Sequence, residues 1–122
     1  MIQPKAFVPF IHVASVARAV AFYRKLGFNV RNELTPSPGG DVVWAYLESG
    51  AAQLMLAQAQ EPVVPGQQAV MFYLYLDDVQ GTHRQMLEHG VDAGTITYPS
   101  YCPGGEFRVT DVDGYTIMIT HT

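Results

Sequence analysis

The pattern of hydrophobic and polar positions occurs twice along the chain. The segment FIHVASVARAVAFYRKLGF, residues 10–28, matches YLYLDDVQGTHRQMLEHGV, residues 73–91, at a constant offset of 63 residues and without a gap. Each copy has an alternating apolar run, a capping residue, an amphipathic stretch and a glycine. A repeat of this kind predicts two strand-helix-strand units and a pseudo-two-fold molecule with a cleft between two sheets.

The first copy begins a module of one helix and four strands. The pattern predicts a helix over 16–26, with Ser15 as its N-cap and Gly27 as the left-handed residue that ends it. Alternating or apolar runs bounded by turn residues predict the strands, which cover 5–13, 29–34, 42–48 and 52–57.

The second copy predicts the same order of elements. Asp78 is the expected cap and Gly90 the expected stop of a helix over 79–89. Its inward-facing side chains are expected to be Val79, Met86 and Leu87. The strands are predicted over 70–76, 95–98, 106–110 and 115–120, with a turn at 111–114 between the last two.

Together these elements predict an α+β fold in a single domain, residues 1–122. It consists of two βαβββ modules, 5–58 and 70–121, joined by a connector over 59–69 that is rich in Gln, Pro and Gly. Both helices are expected on the outer face of largely antiparallel sheets. The opposite faces would then line a partly open barrel, whose interior we call the trough.

Composition narrows the class of function. Seven Lys and Arg against eleven Asp and Glu give a formal charge of −4, which disfavours a nucleic-acid partner and allows a cationic small ligand. No apolar run has the length of a membrane span, and the N-terminal segment lacks the apolar run of a secretion signal. Cys102 is the only cysteine, so no internal disulfide can form and a cytoplasmic location is expected.

Strand parity places Met and aromatic side chains on the trough side, a surface suited to irregular apolar ligands. An alternative is that these side chains pack against one another and close the trough. The loop at 98–105 carries two further tyrosines and could rim a pocket. The predicted ligand-binding residues are Phe10, His12, Trp44, Tyr46, Met55, Met71, Tyr73, Tyr75, Tyr101, Glu106 and Met118.

The AVAFYRKLGF segment near the start and the EFRVTDVDG segment near the end resemble the vicinal oxygen chelate superfamily. This superfamily includes glyoxalases, extradiol dioxygenases and bleomycin-resistance proteins, and the resemblance covers nearly the whole chain. It implies the glyoxalase-like fold but not one activity. The positions that hold the divalent metal in the enzymes correspond to Val8, Met55, Met71 and Met118. All four are apolar, so no metal, cofactor or catalytic residue is assigned.

Within the superfamily the pattern is most similar to the bleomycin-resistance proteins, which are metal-free dimers. The resemblance implies that Pro9 marks a bend where the first strand exchanges between subunits, and that Glu106 lies near the mouth of a binding crevice. The tryptophan that those proteins stack on the drug corresponds to Pro103, which argues against bleomycin itself. Tyr101 or Trp44 could supply the stacking surface instead.

Three functions therefore stay open at the level of sequence. The leading hypothesis is a homodimer that sequesters an apolar or aromatic small molecule, which can be cationic, without making or breaking a bond. The second is a lyase, isomerase or dioxygenase that uses another metal site or an acid-base pair such as His12 and Glu106. The third is a noncatalytic interaction domain whose trough is filled by its own side chains.

Overall fold

The helices and strands follow the two sequence copies, but the first strand begins at Phe10 and not at Lys5 as predicted. The computed structural model describes residues 1–121, which divide into two compact units, with the boundary after Val63. The first unit contains β1 (Phe10–Val13), α1 (Val16–Arg24), β2 (Asn29–Leu34), β3 (Trp44–Ser49) and β4 (Ala52–Gln58). The second contains a short 3-10 helix (Pro65–Gln67), β5 (Met71–Tyr75), α2 (Val79–Glu88), β6 (Phe107–Thr110) and β7 (Thr116–Thr120).

The ends of both helices have the predicted caps. The Ser15 hydroxyl accepts a hydrogen bond of 3.3 Å from the backbone amide of Arg18. The Asp78 carboxylate accepts one of 2.9 Å from the amide of Gly81. Gly27 and Gly90 follow the helices with φ of 94° and 77°, a conformation that favours glycine.

In the first unit, four strands form one sheet in the order β1-β4-β3-β2. β1 runs parallel to β4, and the other neighbours are antiparallel. Alternate residues of β1, β3 and β4 are buried on one face, and α1 contributes Val16, Ala19 and Tyr23 to the same core. The sheet residues of this core are Ile11, Val13, Ala45, Leu47, Leu54 and Leu56.

The second unit has a smaller sheet in the order β5-β7-β6, with β5 and β7 parallel. The ring of His83 on α2 contacts the ring of Phe107 edge-on at 4.8 Å between centroids, which locates the face that α2 covers. The buried side chains of this core include Val79, Met86, Phe107, Val109, Ile117 and Ile119. The α+β class predicted from the sequence is confirmed: each unit has an unclosed sheet and a helix.

The strand predicted over 95–98 is wrong. This segment makes only isolated bridges beside β6, Ala93 with Val109 and Thr97 with Glu106. The two bridges differ in register by one residue, so a continuous ladder does not form. Within the described residues, the second sheet therefore has three strands where four were predicted.

Leu87 was also assigned incorrectly to the core. Its side chain is 51% exposed, whereas Met86 and Val79 are buried. Val79, His83 and Met86 are spaced by four and three residues and so lie on one face of α2. Leu87 is rotated by about 100° from Met86. The face of α2 that packs against the sheet is therefore the one that carries Val79, His83 and Met86, and Leu87 lies outside it.

No helix within residues 1–121 is both long and apolar enough to cross a membrane.

Candidate ligand-binding faces

Each sheet has one face that packs against its helix and an opposite face, which we call the open face. In the first unit, Phe10 lies beside Met55, and Met55 lies beside Tyr46. One step along, His12 lies beside Ala57, which is next to Trp44. The sequence prediction grouped Phe10, His12, Trp44, Tyr46 and Met55, and the strand register places all of them on this open face.

The open face of the first unit presents aromatic rings. The Phe10 side chain is 51% exposed, and its ring centroid is 5.4 Å from that of His12. Trp44 and Tyr46 contact edge-on at 6.4 Å. The Arg31 guanidinium is 5.2 Å from the centre of the Tyr46 ring, within the range of a cation–π interaction. These side chains form an aromatic surface that a flat ligand could contact.

The second unit repeats this arrangement. Tyr73 lies beside Met118, just as Phe10 lies beside Met55, and both pairs follow the offset of the sequence repeat. Met71, Tyr73 and Tyr75 are exposed on this open face, and the two tyrosine rings stack with centroids 6.1 Å apart. Met118 itself is buried between its neighbours.

The loop over 98–105 is anchored at several points in the second unit. The Gln80 side chain of α2 donates to the carbonyl of Gly104 at 3.1 Å and to the Tyr98 hydroxyl at 3.3 Å. The Cys102 sulfur is 3.0 Å from the Thr120 hydroxyl and donates to the carbonyl of Gly105 at 3.4 Å. Cys102 is thus held as part of the loop packing.

Tyr101 and Glu106 are directly joined across this loop. The Tyr101 hydroxyl donates a 2.6 Å hydrogen bond to Oε1 of Glu106. The Tyr101 side chain is 74% exposed, whereas Glu106 is only 5% exposed. This hydrogen bond raises the pKa of Tyr101 above its ordinary value and is the largest cause of the shift. Burial and the charge of Glu106 raise the pKa further by smaller amounts. The sequence predicted each residue as a ligand contact, but no spacing pattern revealed their hydrogen bond.

The donor chemistry does not fit a metal of the family's usual kind. Val8 precedes β1, and the other three corresponding positions, Met55, Met71 and Met118, lie on strands β4, β5 and β7. Hydrocarbon and thioether side chains do not supply the nitrogen and oxygen donors that such cations require. Within residues 1–121, no three His, Cys, Asp or Glu side chains are grouped closely enough to hold a metal ion.

The helix histidines have structural contacts. His83 Nε2 lies 2.8 Å from the carbonyl oxygen of Gly94, and its ring packs on Phe107. His89 Nδ1 lies 2.7 Å from the carbonyl oxygen of Gln85, one turn earlier in α2. His12 belongs to the first unit and Glu106 to the second. The sequence hypothesis of an acid-base pair between His12 and Glu106 stays a prediction.

Solved structures with this fold include antibiotic-binding proteins. A bleomycin-binding protein complexed with bleomycin is 19% identical, with a TM-score of 0.77 over 98% of this chain and 99% of that chain. TnmS3, an antibiotic binding protein from Streptomyces sp. CB03234, is 19% identical, with a TM-score of 0.76 over 99% of this chain and 98% of that chain. TioX from Micromonospora sp. ML1 is 19% identical, with a TM-score of 0.79 over 97% of this chain and 98% of that chain.

At this level of identity, the structural similarity establishes the fold alone. No curated protein sequence matches the chain significantly. The family model described as the Glyoxalase/Bleomycin resistance protein/Dioxygenase superfamily matches residues 7–119. The resemblance inferred from the sequence motifs is therefore confirmed, and the chain belongs to this superfamily.

Proposed function

We propose that this protein binds and sequesters an apolar or aromatic small molecule without a metal and without chemical conversion. The observation that carries the proposal is the aromatic and Met surface of each open face, where Phe10, Tyr73 and Tyr75 are exposed and Tyr46 is half-buried. Exposed apolar surface of this kind marks binding sites in soluble proteins. Apolar residues also occupy the positions at which related enzymes hold their metal.

The structural neighbours support the same class of function. The bleomycin-binding protein and TnmS3 share this fold over nearly their whole length; the first binds bleomycin and the second is an antibiotic binding protein. A fold alone does not determine function. The argument for this chain therefore depends on its own aromatic open faces, and the neighbours make a drug-like aromatic ligand the first class to test.

We further propose that the protein is a homodimer in the cytoplasm. The N-terminal segment before β1 carries Ile2 and Phe7, which are 89% and 98% exposed. A second copy that covers this segment would remove their apolar surface from water. The resemblance to the bleomycin-resistance proteins places the strand-exchange bend at Pro9. The bend would then separate the exchanged segment from the rest of the chain. The single cysteine, Cys102, fits a reducing compartment.

Thermal unfolding with added ligands tests the binding function. A compound that binds the native state must raise the melting temperature as its concentration increases. We expect this rise with bleomycin-type drugs or with smaller aromatic cations, and recovery of the compound with unchanged mass. Tyr73→Ala and Tyr46→Ala should reduce the shift, whereas Leu87→Ala, on the exposed side of α2, should preserve it. The proposal fails if no aromatic compound stabilises the protein or if the bound compound is converted.

Sedimentation velocity of the full chain tests the dimer separately. The expected mass is twice the 13.4 kDa of one chain. Removal of residues 1–8 should shift the equilibrium towards the monomer. A monomer at all concentrations would contradict the dimer proposal and would leave the ligand-binding proposal in place.

A further inference from the structure

A nearly buried carboxylate in the second unit has a neutral partner instead of a cation. The Glu106 side chain, 5% exposed, accepts a 2.6 Å hydrogen bond from the uncharged Tyr101 hydroxyl. Within residues 1–121, Glu106 has no Lys, Arg or His side chain within the 4.0 Å of an ion pair, in contrast to Glu48 of the first unit, which lies 3.8 Å from Arg31. Arg108, two residues after Glu106, does not pair with it. An opposite charge stabilises a desolvated carboxylate more strongly than a neutral donor does.

The carboxylate is in line with the aromatic residues of the open face. β6 and β7 pair Phe107 with Ile119, so one residue further the register places Glu106 opposite Thr120. Thr120 in turn pairs with Tyr75 on β5. The backbones at Tyr75 and Glu106 are therefore two strand spacings apart, about 9.5 Å. The Cys102 sulfur lies 3.0 Å from the hydroxyl of the intervening Thr120, so a ligand with one fused aromatic ring system and a short side arm would span the distance on the outer side of this contact.

Tyr101 covers the carboxylate with a side chain that has few contacts of its own. It lies in the loop over 98–105 and not in a strand or helix, and 74% of its side chain is exposed. Its ring makes none of the ring-ring contacts found among the described residues. The hydroxyl bond to Glu106 is its one side-chain hydrogen bond within residues 1–121. A competing donor would therefore have to replace a single hydrogen bond.

We propose that the ligand carries a protonated amine, which displaces the Tyr101 hydroxyl and binds the Glu106 carboxylate. The aromatic ring of the same ligand lies on Tyr73 and Tyr75. The ligand class is thus an aromatic ammonium compound. The inference rests on the proposed binding function and adds the charge that the ligand must carry. It also predicts opposite effects from the two partners, because Glu106 attracts the amine and the Tyr101 hydroxyl competes with it.

A pair of matched probes tests this inference. 2-(Naphthalen-2-yl)ethylamine and 2-(naphthalen-2-yl)ethanol have the same ring and arm, but only the first is a cation at pH 7. Their dissociation constants are measured from the NMR signals of ¹³C-labelled tyrosines in the full chain. In the wild-type protein we expect the amine to bind about tenfold or more tightly than the alcohol, the factor that corresponds to a charge-assisted hydrogen bond.

Three variants separate the roles of the two residues. Glu106→Gln should abolish the preference for the amine and leave the alcohol unchanged. Tyr101→Phe keeps the ring but removes the competing hydroxyl, so the amine should bind several-fold more tightly. Glu88→Gln removes the same charge from an exposed position at the end of α2 and should behave like the wild type. Amide NMR spectra and melting temperatures identify variants that have changed fold.

The results distinguish a failure of the charge inference from a failure of the proposed binding function. If the alcohol binds at Tyr73 and Tyr75 and the amine binds no more tightly, the charge inference is wrong while the binding function stands. If Tyr101→Phe weakens the amine, the hydroxyl contributes to binding and is not a placeholder, which also overturns the inference. If neither probe shifts any tyrosine signal, both the inference and the proposed aromatic binding face are contradicted.

Discussion

The hydroxyl of Tyr101 lies 2.6 Å from Oε1 of Glu106, so the phenol must break this hydrogen bond when it ionises. The bond is the largest cause that raises the pKa of Tyr101 above its ordinary value of 10.0. A pKa that is higher in the folded state contributes stability while the phenol is protonated. This contribution is fully present below pH 10.0 and is lost as the pH rises through the raised pKa of the folded state.

We expect the Tyr101 phenol to titrate above pH 10.0 in the wild-type protein. Glu106→Gln should lower the pKa of Tyr101 towards the ordinary value, because the charged acceptor is removed. Tyr101→Phe should remove the loss of stability that ionisation of this phenol causes at alkaline pH. The measurements are the pH dependence of the ¹³C signals of labelled tyrosines and of the free energy of unfolding in urea. A Tyr101 pKa that is unaffected by Glu106→Gln would contradict the assignment.

Leu87 and Ile119 provide a test of which side chains form the core of the second unit. Ile119 is fully buried, so Ile119→Ala should lower the free energy of unfolding by about 2 to 5 kcal/mol. Leu87 is half exposed, and Leu87→Ala should change it by about 0.5 kcal/mol or less. Urea denaturation of both variants provides the comparison. Similar large losses in both would show that α2 buries Leu87 after all.

Adjacent aspartates provide a matched test of the cap of α2. The Asp78 carboxylate accepts the amide hydrogen of Gly81, whereas Asp77 is exposed. Asp78→Ala should cost about 1 kcal/mol of stability, the usual effect of losing an N-cap. Asp77→Ala removes the same charge one residue earlier and should cost clearly less. The melting temperatures of the two variants are compared. Equal decreases would show that the lost charge, and not the lost cap, lowers the stability.

Gly105 is expected to tolerate no side chain. Its φ is +100°, and a Cβ there would lie 2.8 Å from the Tyr98 ring. Gly105→Ala should therefore destabilise the protein by about 1 to 3 kcal/mol through backbone strain alone, and crowding should displace Tyr98. Gly66→Ala is the control, because a Cβ at Gly66 would meet open space. Chemical denaturation and the Tyr98 NMR signal measure the two effects; unchanged values for Gly105→Ala would contradict the expected strain.

The parts of the fold that depend on local chemistry were predictable from the sequence. Ser15, Asp78, Gly27 and Gly90 have the cap and stop roles that were predicted, since these roles involve residues within one turn. The offset of the repeat also carries the Phe10–Met55 pairing onto Tyr73–Met118. The offset fails beside these pairs, where Tyr46 neighbours Met55 but Arg108 neighbours Met118. The segment before β6 is thus one residue shorter than its counterpart in the first module, and the β6–β7 connection is one residue longer.

The sequence by itself determined the strand faces, the helix caps and the apolar character of the positions that bind metal in related enzymes, because strand alternation and residue type are local properties. Only the tertiary structure decided that residues 95–98 are not a strand, that Leu87 is exposed and that Tyr101 bonds to Glu106. The first depends on the register of the two bridges beside β6, and the second on which face of α2 packs against the sheet. The Tyr101–Glu106 bond depends on how one loop folds back onto β6, and no periodic pattern encodes such a contact.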